Sequence, residues 1–173
     1  MAKHKSKKKN KNKNNVKASS HQFYQYTLLD EMCASTTEPL TVEWTRKELT
    51  SIWDGLAQIE TGEAPDKFDW GIVADCVAFS RFFVLMGETQ DPHCLLEDAA
   101  NLMREAKLRY LDTGVLRLSG PGIQLIRGVL EDYAEVIAIL PARKVIRCHR
   151  LTERWSIKFR KSKKEAGAEL VML

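Results

Sequence analysis

The chain has 173 residues, 44% of them hydrophobic, which suits one domain with a real core. No apolar run reaches the ~18 residues a membrane span needs, and the charged start MAKHKSKKKNKNKNNVKASS has no apolar stretch after it, so it does not read as a secretory signal; a cytoplasmic protein is expected. The net charge of +4 hides a strong asymmetry: residues 1–17 hold eight Lys and no acid, residues 18–141 nine basic and twenty acidic residues, and residues 142–173 ten basic and three acidic.

Residues 1–22 are dominated by Lys, Asn and Ser. They cannot bury enough apolar surface to offset ordering entropy, so a disordered basic tail is expected. Residues 23–162 read as a single helical domain and 163–173 as a short C-terminal tail. Within 22–43, Phe23, Tyr24, Tyr26, Leu28, Leu29 and Met32 suggest a short helix or strap against the core.

The first long helix is expected to begin at Thr45, where Thr45-x-x-Glu48 has the form of a capping box. Leu49, Ile52, Trp53, Leu56 and Ile59 recur at helical spacing, and Gly62 and Pro65 should end the element. A second helix is expected from about Asp66 to Met86. Between Gly71 and Gly87 its only charges are Asp75 and Arg81, and a helix apolar nearly all round is buried. This is the predicted central helix.

Asp91 as N-cap and Pro92 at the first position predict a third helix with Leu95, Ala99, Leu102, Ala106 and Tyr110 inward, stopped by Gly114. Ser119 and Pro121 should open a fourth. There Ile123, Ile126, Leu130, Tyr133, Ile137 and Leu140 form a heptad-like seam, read as a bundle face rather than a free-standing coiled coil. Pro141 should break the chain sharply before a last helix over about 142–162. The fold class is therefore all-α, a bundle of about five helices behind a Lys-rich tail.

The last helix is the most informative element. At about 100° per residue, Arg147, Arg150, Arg154, Lys158 and Lys161 all fall within about 60° of Arg143. Val145, Cys148, Thr152, Trp155 and Phe159 collect on the opposite side. One side should dock on the body, leaving a cationic stripe of about 27 Å for solvent or an anion. Arg and Lys in such a row neutralise phosphates, and Lys7, Lys8 and Lys9 of the tail add affinity without reading sequence. Nucleic acid or a nucleoprotein complex is the expected partner, through Arg143, Arg147, Arg150, Arg154, Lys158, Lys161 and the tail lysines. A host protein, or a homodimer with the basic helix of one copy on the acidic body of another, are alternatives; a membrane is not expected.

Other features point away from catalysis. Cys33, Cys76, Cys94 and Cys148 are scattered without a CxxC and read as buried reduced thiols, so no metal site is expected. Glu97–Asp98 and Glu131–Asp132 are adjacent pairs with nothing to place them across a pocket. Ser119-Gly120-Pro121-Gly122 lacks the Lys-Ser/Thr of a phosphate-binding loop and reads as a turn with an N-cap. His149 reads as a packed histidine. The acids of the third and fourth helices, Glu97, Asp98, Glu105, Asp112, Glu131, Asp132 and Glu135, read as a solvated face. No enzyme activity and no cofactor are expected.

The segments WDGLAQIETGEAPDKFDWGIVADCV, LLEDAANLMREAKLRYLDTGVLRLSGPGIQLIRGVLEDYAEVIAILPAR and VIRCHRLTER, spread over roughly residues 44–154, resemble small uncharacterised basic-tailed proteins of proteobacterial phages and integrated mobile elements. The resemblance rests on overall pattern. It implies an accessory protein that acts on host nucleic acid or on host defence machinery, an anti-CRISPR or similar anti-defence factor being the protein-directed alternative.

Overall fold

A computed structural model describes residues 26–61, 66–91 and 93–165, with side chains to residue 158. These form six helices: α1 (Leu28–Cys33), α2 (Val42–Thr61), α3 (Lys67–Leu85), α4 (Leu95–Thr113), α5 (Gly120–Ile139) and α6 (Ala142–Glu165). Among the described residues there is no strand, only an isolated antiparallel bridge between Pro39 and Pro141. The expected helical bundle is present, with the short α1 added to the five long elements. No helix among the described residues is long and apolar enough to cross a membrane.

α3 is the axis of the bundle and packs on α2, α4, α5 and α6. Its composition explains this: Trp70, Ile72, Val73, Cys76, Val77, Phe79 and Phe83 point to several sides and are all buried. Asp66 accepts from the Phe68 and Asp69 amides, and Asp69 answers on the Asp66 amide, so a complete capping box starts the helix. α2 and α3 approach closely at Gly55, where a Cβ would lie 3.1 Å from the Asp69 carbonyl oxygen. The seam of α5 faces the same core: Ile126, Leu130, Tyr133 and Ile137 are fully buried, and Val129 joins them. Ser119 caps α5 by accepting from the Gly122 amide at 3.2 Å.

Several local expectations are corrected. α2 begins at Val42, because Thr41 rather than Thr45 takes up the first free amide, accepting from Trp44 N at 3.3 Å. Glu48 turns inward to Tyr133 and caps nothing. The expected stops Gly62 and Pro65 lie outside the described residues, as does Pro92. α4 starts at Leu95, not after Asp91. Asp91 still satisfies two amides, those of Leu95 and Leu96 at 2.9 and 3.0 Å, while the N-cap is Cys94 in the left-handed region at φ 55°. The inner face of α4 is Ala99, Ala100, Met103 and Ala106, with Leu95, Leu102 and Tyr110 half-buried at its edges. Gly114 ends α4 as expected, at φ 70°. Of the four free thiols only Cys76 and Cys148 are buried; Cys33 and Cys94 are exposed.

The segment before α2 is a strap over α6. After Pro141 breaks the chain, the first amides of α6 turn to the backbone of the strap. Ala142 N donates to the Glu38 carbonyl at 2.8 Å, and Arg143 N to that of Ser35 at 3.1 Å. Backbone groups of the strap thus satisfy part of a helix N-terminus more than a hundred residues later.

Candidate anion-binding face of α6

α6 is amphipathic, and its docked side is set by Val145, Ile146, Cys148, His149 and Thr152, all buried. Cys148 Sγ donates to the Phe79 carbonyl at 3.5 Å, and Thr152 Oγ1 to the Cys148 carbonyl at 2.9 Å, so the polar atoms on this side are spoken for. Burial pushes the Cys148 thiol up to about 12, which makes it inert as a nucleophile at neutral pH. Trp155, expected on the docked side, is 54% exposed instead. The Phe159 and Lys161 side chains lie outside the described residues.

The structure divides the cationic stripe into two sets. Arg143 and Arg150 are half-buried and turned toward the strap. Arg143 donates to the carbonyls of Glu31 and Met32 at 3.1 and 3.2 Å, capping the C-terminal end of α1. Arg150 forms an ion pair with Glu31. Both therefore anchor α1 on α6. Arg147, Arg154 and Lys158 are exposed, and none has an ion-pair partner among the described residues. At about 100° per residue these three fall within an arc of about 40°, and at about 1.5 Å per residue they extend over about 17 Å. Lys144, off this arc, pairs with Glu88. Lys7, Lys8 and Lys9 lie outside the described residues.

Beneath the face runs a feature that residue spacing did not disclose. Tyr133 of α5 donates its hydroxyl to Glu48 Oε1 of α2 at 3.2 Å and lies 3.0 Å from His149 Nε2 of α6. The imidazole stacks on Phe79 of α3 at 3.9 Å and 15°, with Tyr26 and Trp44 rings about 6 Å away. A carboxyl, a phenol and an imidazole thus form a chain across the core, tying α2, α5 and α6 together. Burial raises Glu48 to about 7, against the opposing hydrogen bond from Tyr133, and the Asp75 charge adds to the rise. Burial lowers His149 to about 3, so it is neutral at physiological pH. Burial, followed by the Glu48 charge, holds the Tyr133 phenol well above its ordinary value. The amphipathic pattern placed His149 on the docked side, but its partners Tyr133 and Phe79 lie 16 and 70 positions away in sequence, beyond any local signal.

Among the described residues no three His, Cys, Asp or Glu side chains converge as metal ligands. The acids of α4 and α5 are exposed, and Glu97 pairs with Arg81 at 3.1 Å. No protein-family model, curated protein or solved structure matches the chain.

Proposed function

We propose that this is a non-enzymatic accessory protein of phage or mobile-element type that binds nucleic acid, alone or within a nucleoprotein complex, through α6. The observation that carries the reading is the row Arg147, Arg154 and Lys158, exposed and without carboxylate partners among the described residues. Glu31 and Glu88 have taken up Arg150 and Lys144, and the α1 carbonyls of Glu31 and Met32 hold Arg143, so the remaining row is the part of the stripe available to an outside anion. Three cations over about 17 Å match the phosphates of a short stretch of strand, about 3.4 Å apart along the axis of a duplex. Eight lysines in residues 1–17 add sequence-independent attraction. The double variant Arg147→Glu, Arg154→Glu is expected to fold normally and to lose retention of DNA and RNA. Retention equal to wild type by the folded variant contradicts the reading.

A second reading has its own support. Val42 and Ile139 are 85% and 74% exposed beside a groove lined by Leu40, Leu49, Trp53 and Ala138, between α2 and the end of α5. An exposed apolar patch of this kind suits contact with another protein. It favours a protein-directed inhibitor of a host defence system, an anti-CRISPR or similar anti-defence factor. A pull-down from nuclease-treated host lysate separates the two: one stoichiometric protein partner supports inhibition, and loss of all partners supports nucleic acid.

A further inference from the structure

Next to the cationic arc, α6 carries an aromatic side chain that the fold leaves half in water. Trp155 follows Arg154 directly and stands three residues before Lys158. It is 54% exposed and meets the Phe82 ring edge-on at 6.2 Å and 68°. With Ser156 it lines a cavity of about 250 Å³ between α3, α4 and α6. Val77, Ala100 and Met103, all buried, supply apolar lining, and Leu85, 77% exposed, forms another lip. Asp75 and Arg81 add an acceptor and a donor at its wall, Arg81 being held in place by Glu97.

The cavity is a little smaller than the roughly 300 Å³ at which pockets for drug-sized molecules begin, and it has their make-up of apolar walls with a few polar groups. One planar ring system suits it. Its position narrows the choice, because the exposed α6 charges on the adjoining side, Arg154 and Lys158, are both cationic and suit an anionic ligand, whereas the exposed Glu153 lies about 160° around the helix from Trp155. Trp155 lies about 60–100° around the helix from the three residues of the arc, so phosphate-binding and ring-binding groups sit on adjoining faces. Proteins that hold single strands combine these two elements, a cationic track for the backbone and an aromatic platform for the bases. In a duplex the bases are stacked inside and cannot reach such a cavity, whereas an unpaired base can splay out.

We propose that α6 binds single-stranded nucleic acid, with Arg147, Arg154 and Lys158 on the phosphates and one unstacked base held against Trp155 in the cavity between α3, α4 and α6. This rests on the nucleic-acid reading above. Fluorescence anisotropy with the full chain at fixed salt tests it, using a 12-nucleotide single strand as DNA and as RNA, the corresponding duplexes, and a single strand of abasic residues. Wild type should bind the intact single strand about 10-fold tighter than the duplex or the abasic strand. Trp155→Ala should lose that advantage while its duplex binding stays the same. The DNA and RNA arms identify which strand is preferred. Equal binding of intact, duplex and abasic probes by wild type overturns this inference but leaves the nucleic-acid reading standing. No binding of any probe overturns both. The abasic comparison uses wild type alone, so it decides the matter even if Trp155→Ala misfolds.

Discussion

Tyr133 has one hydroxyl proton and two neighbours that can accept it. With Glu48 ionised, the proton points to the carboxylate and His149 Nε2–H donates to the phenol oxygen. With Glu48 protonated, the order can reverse, Glu48 donating to Tyr133 and Tyr133 to a bare Nε2. Nitrogen NMR of His149 should therefore show the Nε2–H tautomer near pH 8 and a shift toward Nδ1–H near pH 5; the same tautomer at both would contradict this. The chain also sets a stability profile. Glu48 titrates at its ordinary 4.5 when unfolded and at about 7 when folded, so the folded state holds the extra proton between these values. Stability then falls as pH rises through that window, by on the order of 3 kcal/mol at full ionisation. His149 does the opposite: its ordinary 6.5 drops to about 3, the unfolded state holds the extra proton, and stability falls as pH drops below 6.5. Between 4.5 and 6.5 the two slopes oppose each other. Urea denaturation should find Glu48→Gln more stable than wild type at pH 8 and close to it at pH 5.

At the scale of elements, the helix ends divide what could be read locally from what could not. Ser119 and Gly114 were legible because a cap is a contact within four residues, and both act as expected; Asp66, expected only as the approximate start of its helix, is its N-cap. Thr45-x-x-Glu48 misled for the same reason: Thr41, one turn earlier, serves as the cap, and the destination of Glu48 is 85 positions away. Cys94 gave no signal, since a left-handed cysteine follows from how Asp91 reaches over to the Leu95 and Leu96 amides. Cys94→Gly should accordingly gain about 1 kcal/mol in thermal melting, by relieving a conformation that favours glycine. Asp91→Ala should lose about 1–2 kcal/mol with its two amide contacts. The stripe on α6 was legible as a stripe. Its division was not, because the α1 carbonyls and Glu31 that hold Arg143 and Arg150 come from more than a hundred residues earlier. Arg143→Ala should speed proteolysis of the strap and weaken stability by about 1 kcal/mol, while changing nucleic-acid affinity far less than Arg147→Glu.

For the whole molecule, the charge layout now has a structural basis. The acids of α4 and α5 are exposed on the body, while α6 is fixed to that body by Val145, Cys148 and His149 and by the strap. An ordered cationic row on a rigid helix loses little freedom on binding, unlike a free tail, so its contribution should be separable by mutation. Counterion release supplies the means: affinity for a single strand falls with salt at a log–log slope of about −0.7 per phosphate neutralised, and for a duplex at about −0.9. The most direct measurement is that slope for a single-stranded probe, in wild type and in the folded triple variant Arg147→Glu, Arg154→Glu, Lys158→Glu. The account predicts a slope shallower by about 2 in the variant, together with a large loss of affinity at every salt concentration. Equal slopes and equal affinities in the two proteins would contradict it.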